Sequence, residues 1–311
     1  MTMTTRPPLD VVGLGYCAWD YVGIVDQVPE FDAPTMSLPD FVASGGGPVA
    51  TALVALARLG ARTGYLGVVG DDEYGLNIKR AFEGEGVDVS HLRVQSNRRS
   101  PVCIVLVHAS SGLRSILCYR GTLRHVELQQ TDYPYISSAR LLHLDGHHMS
   151  AAISAAQWMR KGGGTVVLDA NRPRPSLGKL LPWVDVLITN ASFPLAYAGQ
   201  QDIGDAAREW IHAGAKLVVT TLGENGCLCF GSDESLRVPG FAVRVLDTTG
   251  AGDAFHDAFI YGLLHGWSLL RTATFANAVA VLNCTALGGR AGLPRLGEVE
   301  AFLQSTGRCV D

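Results

Sequence analysis

The feature that most constrains this chain is a repeated alternation of short apolar runs with helix-period segments. Val11-Val12-Gly13-Leu14 reads as a buried strand. Residues 48–59 (PVATALVALARL) read as an apolar helix closed by Gly60. A strand at 141–144 precedes a helix over about 150–160, and strands follow at 165–168 and 186–189. A helix at 203–212, a strand at 217–220 and helices at 251–264 and 275–285 complete the pattern. Strands that read as unbroken apolar runs are covered on both faces, and strands separated by helices pair in parallel. The expectation is an α/β fold with a mostly parallel central sheet and helices on both faces.

Two regions break the alternation. Residues 19–42 hold Asp, Pro and short β-like runs without a helix period. Residues 101–119 read as two strands, VCIVLVH and RSILCY, joined by Ala109-Ser110-Ser111-Gly112, which is a hairpin signal. Together they predict a small β-lid contributed by about 16–43 and 99–124, on a single domain spanning 1–311. At 311 residues and 47% hydrophobic composition, one large domain has ample core. A net charge of −4 argues against a nucleic-acid partner. The start MTMTTRPPLD has no apolar signal core, and no run of 18 apolar residues offers a membrane span. A cytoplasmic protein is expected. The seven cysteines (17, 103, 118, 227, 229, 284, 309) show no metal or disulfide spacing and read as small hydrophobes in a reducing compartment.

The sharpest chemical signal is Asp247-Thr248-Thr249-Gly250-Ala251-Gly252-Asp253, which runs directly into the helix AFHDAFIYGLL. Small residues at 250–252 let a ligand approach the backbone closely. The free N–H groups of the helix start, with the helix dipole, form an anion hole suited to a phosphoryl group in flight. Asp253 in the first turn is placed to accept a proton from an attacking hydroxyl. A plain capped helix after a glycine-rich turn is the alternative.

With four motifs in order, the chain resembles the ribokinase-like (PfkB) sugar kinases over nearly its whole length. DTTGAGDAF is similar to that family's C-terminal signature, and Ser44-Gly45-Gly46-Gly47-Pro48 with its helix to its N-terminal one. Gly67 to Gly75 fits G-x-x-G-D-D-x-x-G, and Thr221-Leu-Gly223-Glu-Asn-Gly226 fits the turn beside the nucleotide. The resemblance implies ATP and Mg²⁺ as cofactors, and a homodimer through the β-lid. It implies Asp253 as general base and the amides of Gly250, Ala251, Gly252 and Asp253 as the anion hole. Asn190, Thr221, Gly223, Gly226 and Asn277 would lie along ATP. Asp20, Gly46, Gly47 and Arg114 would bind a small sugar-like substrate. Asp247 and Thr249, with carbonyls near Ala286 and Gly288, would hold a monovalent cation such as K⁺.

Four departures bear on substrate and metal. Relatives often carry Asn where this chain has Ala18 and Ala50, so sugar hydroxyls lose two partners and ribokinase or ordinary fructokinase activity is put in doubt. The N-x-x-E motif reads Asn190-Ala-Ser-Phe193, which removes the Glu and leaves magnesium to ATP phosphates and water. Asp257 replaces a usual Gly, four residues from Asp253 on the same helix face, as either a solvated side chain or a second carboxylate that raises a pKa or recruits a cation. Within the family the chain resembles the sulfofructose-kinase-like subgroup, through Gly45 to Ala52 and Cys284 to Pro294. Its sulfonate-contacting Arg and Asn fall on Gly146 and Cys118, so sulfofructose is not expected to be the main substrate.

Other readings are weaker. Gly13-Leu-Gly15-Tyr-Cys-Ala18 fits a dinucleotide fingerprint, but residues 19–25 read as β where a dehydrogenase needs a helix. His143, His147 and His148 lack the helix and the distant partners a metal site needs, although His147 and His148 follow a strand end where substrates bind. A nucleoside kinase of the same fold and a catalytically weak sugar sensor complete the alternatives.

Overall fold

The computed structural model describes residues 8–308 apart from 33 and 233. Thirteen strands are present among them: β1 Val11–Leu14, β2 Ala18–Val25, β3 Phe41–Gly46, β4 Thr63–Gly70, β5 Asp88–Gln95, β6 Val102–His108, β7 Arg114–Tyr119, β8 Leu141–Leu144, β9 Thr165–Ala170, β10 Val186–Asn190, β11 Leu217–Thr221, β12 Cys227–Gly231 and β13 Ser235–Val238. Nine form one sheet in the order β13-β12-β11-β10-β9-β8-β1-β4-β5. Its pairs are parallel from β5 to β11, and antiparallel from β11 through β12 to β13.

Alternating side chains of the central strands point to opposite faces, and both faces are apolar. Val11, Val167, Ile188 and Val219 join one core with Leu53, Leu56, Phe259 and Phe275 from the helices Pro48–Arg58, Ala251–Leu264 and Leu269–Asn283. Val12, Leu168, Leu187 and Val218 join the other with Met159 and Trp210 from the helices Met149–Lys161 and Ile203–His212. This is the α/β arrangement expected from the sequence, a mostly parallel central sheet with helices on both faces.

The remaining strands form a second sheet, β3-β2-β6-β7, in which β2 pairs antiparallel with β3 and parallel with β6. β6 and β7 form the hairpin. One face of this lid packs Val22, Val105 and Val107 against Leu287. The other leaves Ile104, Leu117 and Tyr119 half exposed or more (52%, 58% and 50%).

Some elements differ from expectation. The helix assigned to 275–285 starts earlier, at Leu269, because the Ser268 hydroxyl accepts the Arg271 amide and caps it. β4, the helix Glu73–Gly84 and β5 were not separated by periodicity, since glycines interrupt the apolar run at 64, 67 and 70. No helix among the described residues is long and apolar enough to cross a membrane. Cys118 is exposed, unlike the small-hydrophobe role expected of it, whereas Cys17, Cys103, Cys227, Cys229 and Cys284 are buried; Cys309 lies outside the described residues.

Candidate active site

The helix Ala251–Leu264 starts from Gly250, whose φ of 74° and ψ of 0° are left-handed. A Cβ there would stand 2.5 Å from the Gly289 carbonyl oxygen, so both conformation and space require glycine. The Ala251 amide turns back to the Thr248 carbonyl at 3.3 Å. The amides of Gly250, Gly252 and Asp253 have no hydrogen-bond partner among the described residues. The space above Gly252 is open. Three free donors at a helix N-terminus make a site for an anion. The Asp253 carboxyl stands in that first turn, and burial raises its pKa to about 6 against the opposing pull of Arg114.

Asp247 organises the turn from below. Its carboxylate accepts the Thr249 amide (2.7 Å) and the Gly288 amide (2.7 Å), which clamps the signature run to the 286–290 segment. Thr249 Oγ1 is buried without a partner, and Asn283 donates to the Thr249 carbonyl at 3.1 Å.

The same segment carries Arg290 beneath the other half of the site. Its guanidinium donates to Thr51 Oγ1 (3.3 Å) and to the Gly46 carbonyl (3.4 Å). Asp20 lies across β3 from there, with Oδ1 buried and unpartnered. Burial lifts its pKa to about 6, and Arg290 works against the rise. A Cβ on Gly46 would sit 1.8 Å from Asp20 Oδ2, so glycine is the condition for that carboxylate's position. Gly47 precedes the helix Pro48–Arg58 at a φ of 99°.

The lid hairpin closes onto the signature run. The Gly112 carbonyl accepts both the Thr248 amide (3.1 Å) and the Thr248 hydroxyl (2.9 Å). Arg114 donates to the same hydroxyl at 2.9 Å, which brings the lid arginine into the field of Asp253.

The opposite wall rises from the ends of β8 and β9. Asp145 accepts the Tyr16 amide (2.7 Å) and the His147 amide (3.0 Å). Burial disfavours its ionisation, but His147 and these amides outweigh burial and hold the carboxyl well below its usual range. The His147 ring stacks on Tyr16 with centroids 4.7 Å apart, and Arg174 reaches it at 3.0 Å. Neither Arg174, Arg290 nor Asp145 stood out as a site residue in the sequence, because each lies outside a phosphate-type motif.

Among the residues the sequence places along ATP, Thr221 donates to the Thr189 carbonyl (3.3 Å), and Gly223 adopts a φ of 60°. Gly226 at a φ of 84° fits against the Val238 carbonyl, which a Cβ would meet at 2.0 Å. Asn277 donates to the Val238 and Pro239 carbonyls (3.4 and 3.3 Å), so both residues shape one loop. Asn190 spends its side-chain oxygen on Ser192 and Phe193 amides (3.1 and 2.9 Å) and donates to the Asn171 carbonyl (3.1 Å). Phe193 is fully buried and stacks on Tyr197, its centroid 5.3 Å away. Position 193 therefore points into the core and offers nothing to a metal–phosphate group.

Asp257 is not solvated. It is fully buried, neither oxygen has a hydrogen-bond partner among the described residues, and burial followed by the charge of Asp253 raises its pKa well above the usual range. Other polar groups are buried too: His256 Nδ1 lies 3.4 Å from Asp169 Oδ2, and the His143 and His256 rings are 6.3 Å apart. The three histidines of the 143–148 run diverge. His143 is buried in β8, His147 faces Tyr16, and His148 contacts His125 at 3.2 Å. No cluster among the described residues has the ligand set for a metal. After Gly15 the chain enters β2, not a helix, so the dinucleotide fingerprint has no helix terminus to use.

A model of the pfkB family carbohydrate kinases matches residues 9–296. The chain is 29% identical to a ribokinase of Haemophilus influenzae over 290 residues, covering 90% of this chain and 94% of that protein. It is 25% identical to a 5-dehydro-2-deoxygluconokinase of Clostridium beijerinckii over 320 residues, covering 95% and 93%. Among solved structures, a ribokinase of Arabidopsis thaliana complexed with ribose and ATP superposes with a TM-score of 0.83 at 25% identity, covering 96% of this chain and 99% of that one. An E. coli chain described as a putative ribokinase II in complex with ATP and Mg²⁺ superposes at 0.84, with 23% identity and coverage of 96% and 99%.

Because an unpartnered buried polar group costs about 1–3 kcal/mol, Asp257→Ala is expected to raise unfolding free energy by about 1 kcal/mol. Urea denaturation of both proteins at neutral pH measures this, and a loss of stability would show that Asp257 has a structural partner.

Proposed function

We infer the activity from one premise: the chain belongs to the pfkB family of carbohydrate kinases. It is a sugar kinase that uses ATP with Mg²⁺. The finer reading proposed here is phosphoryl transfer from ATP to an alcohol group of a sugar or sugar acid, with Asp253 as the base. The observation that carries it is the juxtaposition of Asp253 with the three unpartnered amides of Gly250, Gly252 and Asp253 at one helix N-terminus.

In this reading the acceptor lies between Asp20, Gly46 and the lid. Asp20 accepts hydrogen bonds from two hydroxyls, and Arg290 beneath it keeps the carboxylate charged. Arg174, beside Gly146 and His147, places a cation at the far wall, which favours acceptors with an anionic end. Asp253 takes the hydroxyl proton as the oxygen attacks the γ-phosphorus, and the free amides meet the charge that develops on the transferring group. When bound with ATP, Mg²⁺ neutralises phosphate charge. With Phe193 buried in the core, position 193 would give the ion no ligand, and the ATP phosphates would hold it. Closure of the Gly112–Thr248 contact shields the reacting atoms from water.

A coupled ATP-consumption assay across ketoses, aldoses, sugar acids, sugar phosphates and nucleosides tests the substrate class; turnover of nucleosides alone would overturn it. With the best acceptor, Asp253→Asn should lower kcat by about 10²–10⁴-fold while calorimetry shows acceptor binding retained. Undiminished turnover by that variant would rule Asp253 out as the base.

Both Asp20 and Asp253 have pKa values raised to about 6, and both must be ionised to work. Activity is therefore full above these values and is lost as pH falls through them. The kcat/KM profile should drop below about pH 6, more steeply than one ionisation allows. A flat profile from pH 5 to 8 would contradict the assignment.

We also propose that two copies pair through the outer lid face, where Ile104, Leu117 and Tyr119 lie exposed. Sedimentation should give a dimer, and Ile104→Glu with Leu117→Glu should give a monomer; a wild-type monomer at micromolar concentration would refute the pairing.

A further inference from the structure

The lid carries a thiol pair that phosphoryl transfer does not use. Cys103 on β6 and Cys118 on β7 stand directly opposite in the antiparallel register, and their sulfurs are 2.9 Å apart. Opposed residues of an antiparallel pair have Cα atoms about 4.5–5.5 Å apart. That lies inside the roughly 4.4–6.8 Å range a disulfide spans, so a bond could form without shifting the register. Cys227 and Cys229, by contrast, are two apart on one strand, and Cys17 and Cys284 are buried away from any strand partner thiol.

The position of the pair gives it a consequence. Cross-strand register aligns Ser44, Asp20, Cys103 and Cys118 in one row across all four lid strands. The row lies on the face opposite the Tyr21–Ile104–Leu117 row, so the proposed dimer surface does not cover it. Cys103 is buried against Asp20, and Cys118 is exposed at the row's end with its sulfur 3.1 Å from the Tyr16 hydroxyl. Tyr16 in turn carries the His147 ring.

We propose that Cys103 and Cys118 form an oxidative modification site, in which a peroxide converts the two thiols to a disulfide that weakens acceptor binding at Asp20. This rests on the reading that Asp20 binds the acceptor. The Cys118 sulfur is the attacking group. Its pKa is lowered to about 6, first by the hydrogen bond from the Cys103 thiol, so the thiolate is available at neutral pH. The thiolate attacks one peroxide oxygen and the O–O bond breaks, giving a sulfenic acid and, after protonation, water from hydrogen peroxide. The Cys103 sulfur then attacks the sulfenic sulfur. The S–O bond breaks, the S–S bond forms, and the departing hydroxide takes the Cys103 proton as a second water. Two electrons pass from the sulfur pair to one peroxide, and a dithiol reverses the step by exchange. Oxidation draws the Cys103 sulfur toward Cys118, out of its place beside Asp20 in the cross-strand row, and so disturbs the packing that positions the Asp20 carboxylate.

The test treats the full chain with hydrogen peroxide, blocks remaining thiols with iodoacetamide, and maps peptides by mass spectrometry before and after dithiothreitol. The expected result is a peptide linking Cys103 to Cys118, lighter by two hydrogens and split by dithiothreitol. In parallel, the KM for the acceptor should rise about threefold to tenfold, with kcat and the KM for ATP little changed, as expected for a lost ground-state contact. Cys118→Ser and Cys103→Ser proteins should show no linked peptide and no peroxide-dependent change in KM. Absence of the linked peptide, or over-oxidation of Cys118 to the sulfinic acid without linkage, overturns the proposal. So does a linked peptide with an unchanged acceptor KM. If no acceptor is turned over at all, the kinase reading fails, yet the peptide map still decides whether the disulfide forms.

Discussion

The Asp247 carboxylate joins the two loops on which the rest of the site is built. It takes one amide from Thr249 and one from Gly288, both at 2.7 Å, in a fully buried position. A charged acceptor satisfied by two backbone donors is among the stronger hydrogen-bonded arrangements a protein can use. On one side it sets the turn that ends at Gly250 and releases the helix amides. On the other it fixes the segment that delivers Arg290 under Gly46 and Asp20. Arg58 reinforces the second side by donating to the Arg290 and Leu293 carbonyls at 2.8 and 2.9 Å. The two halves of the site thus share one anchor, and the lid is tied to the same run through Thr248.

The electrostatics follow from that closeness. Asp20 and Asp253 are both raised by burial, while Arg290 and Arg114 oppose the rise. Arg290 is itself lowered to about 10 by burial, and Asp20 works against that fall. Removing charges from water is costly unless each finds a partner, and here the partners are shared among several groups. Carboxylates near neutrality are suited to accept protons and hydroxyl hydrogen bonds, which is the use a phosphoryl-transfer site has for them. Asp257 departs from a solvated position that spacing alone allows. Being four residues from Asp253 places it on the same helix face, but not at the surface: its side chain is fully buried.

Much of the arrangement was legible in the residue order. Apolar runs gave the parallel sheet, since a strand covered on both sides has no polar alternation to display. The 247–253 run gave a helix start with free amides, because small residues and the helix terminus act locally. Residues whose role depends on distant neighbours were not legible. Arg290 reads as one more charged residue in a loop, and only its approach to Thr51 and Gly46, more than 200 residues away in sequence, reveals its place. Asn190 and Asn277 read as ligand residues, and their side chains are engaged with the backbone of nearby loops. Cys103 and Cys118 looked like two scattered hydrophobes until the hairpin register set them face to face.

By itself, the sequence determined the fold class, the sugar-kinase family and the position of the glycine-rich helix start, because periodicity and short-range backbone geometry are written in neighbouring residues. Tertiary structure alone decided which charges share a field, which polar groups are sealed in the core, and which thiols meet. Those properties depend on distances between strands and loops that chain packing sets and that no local pattern encodes.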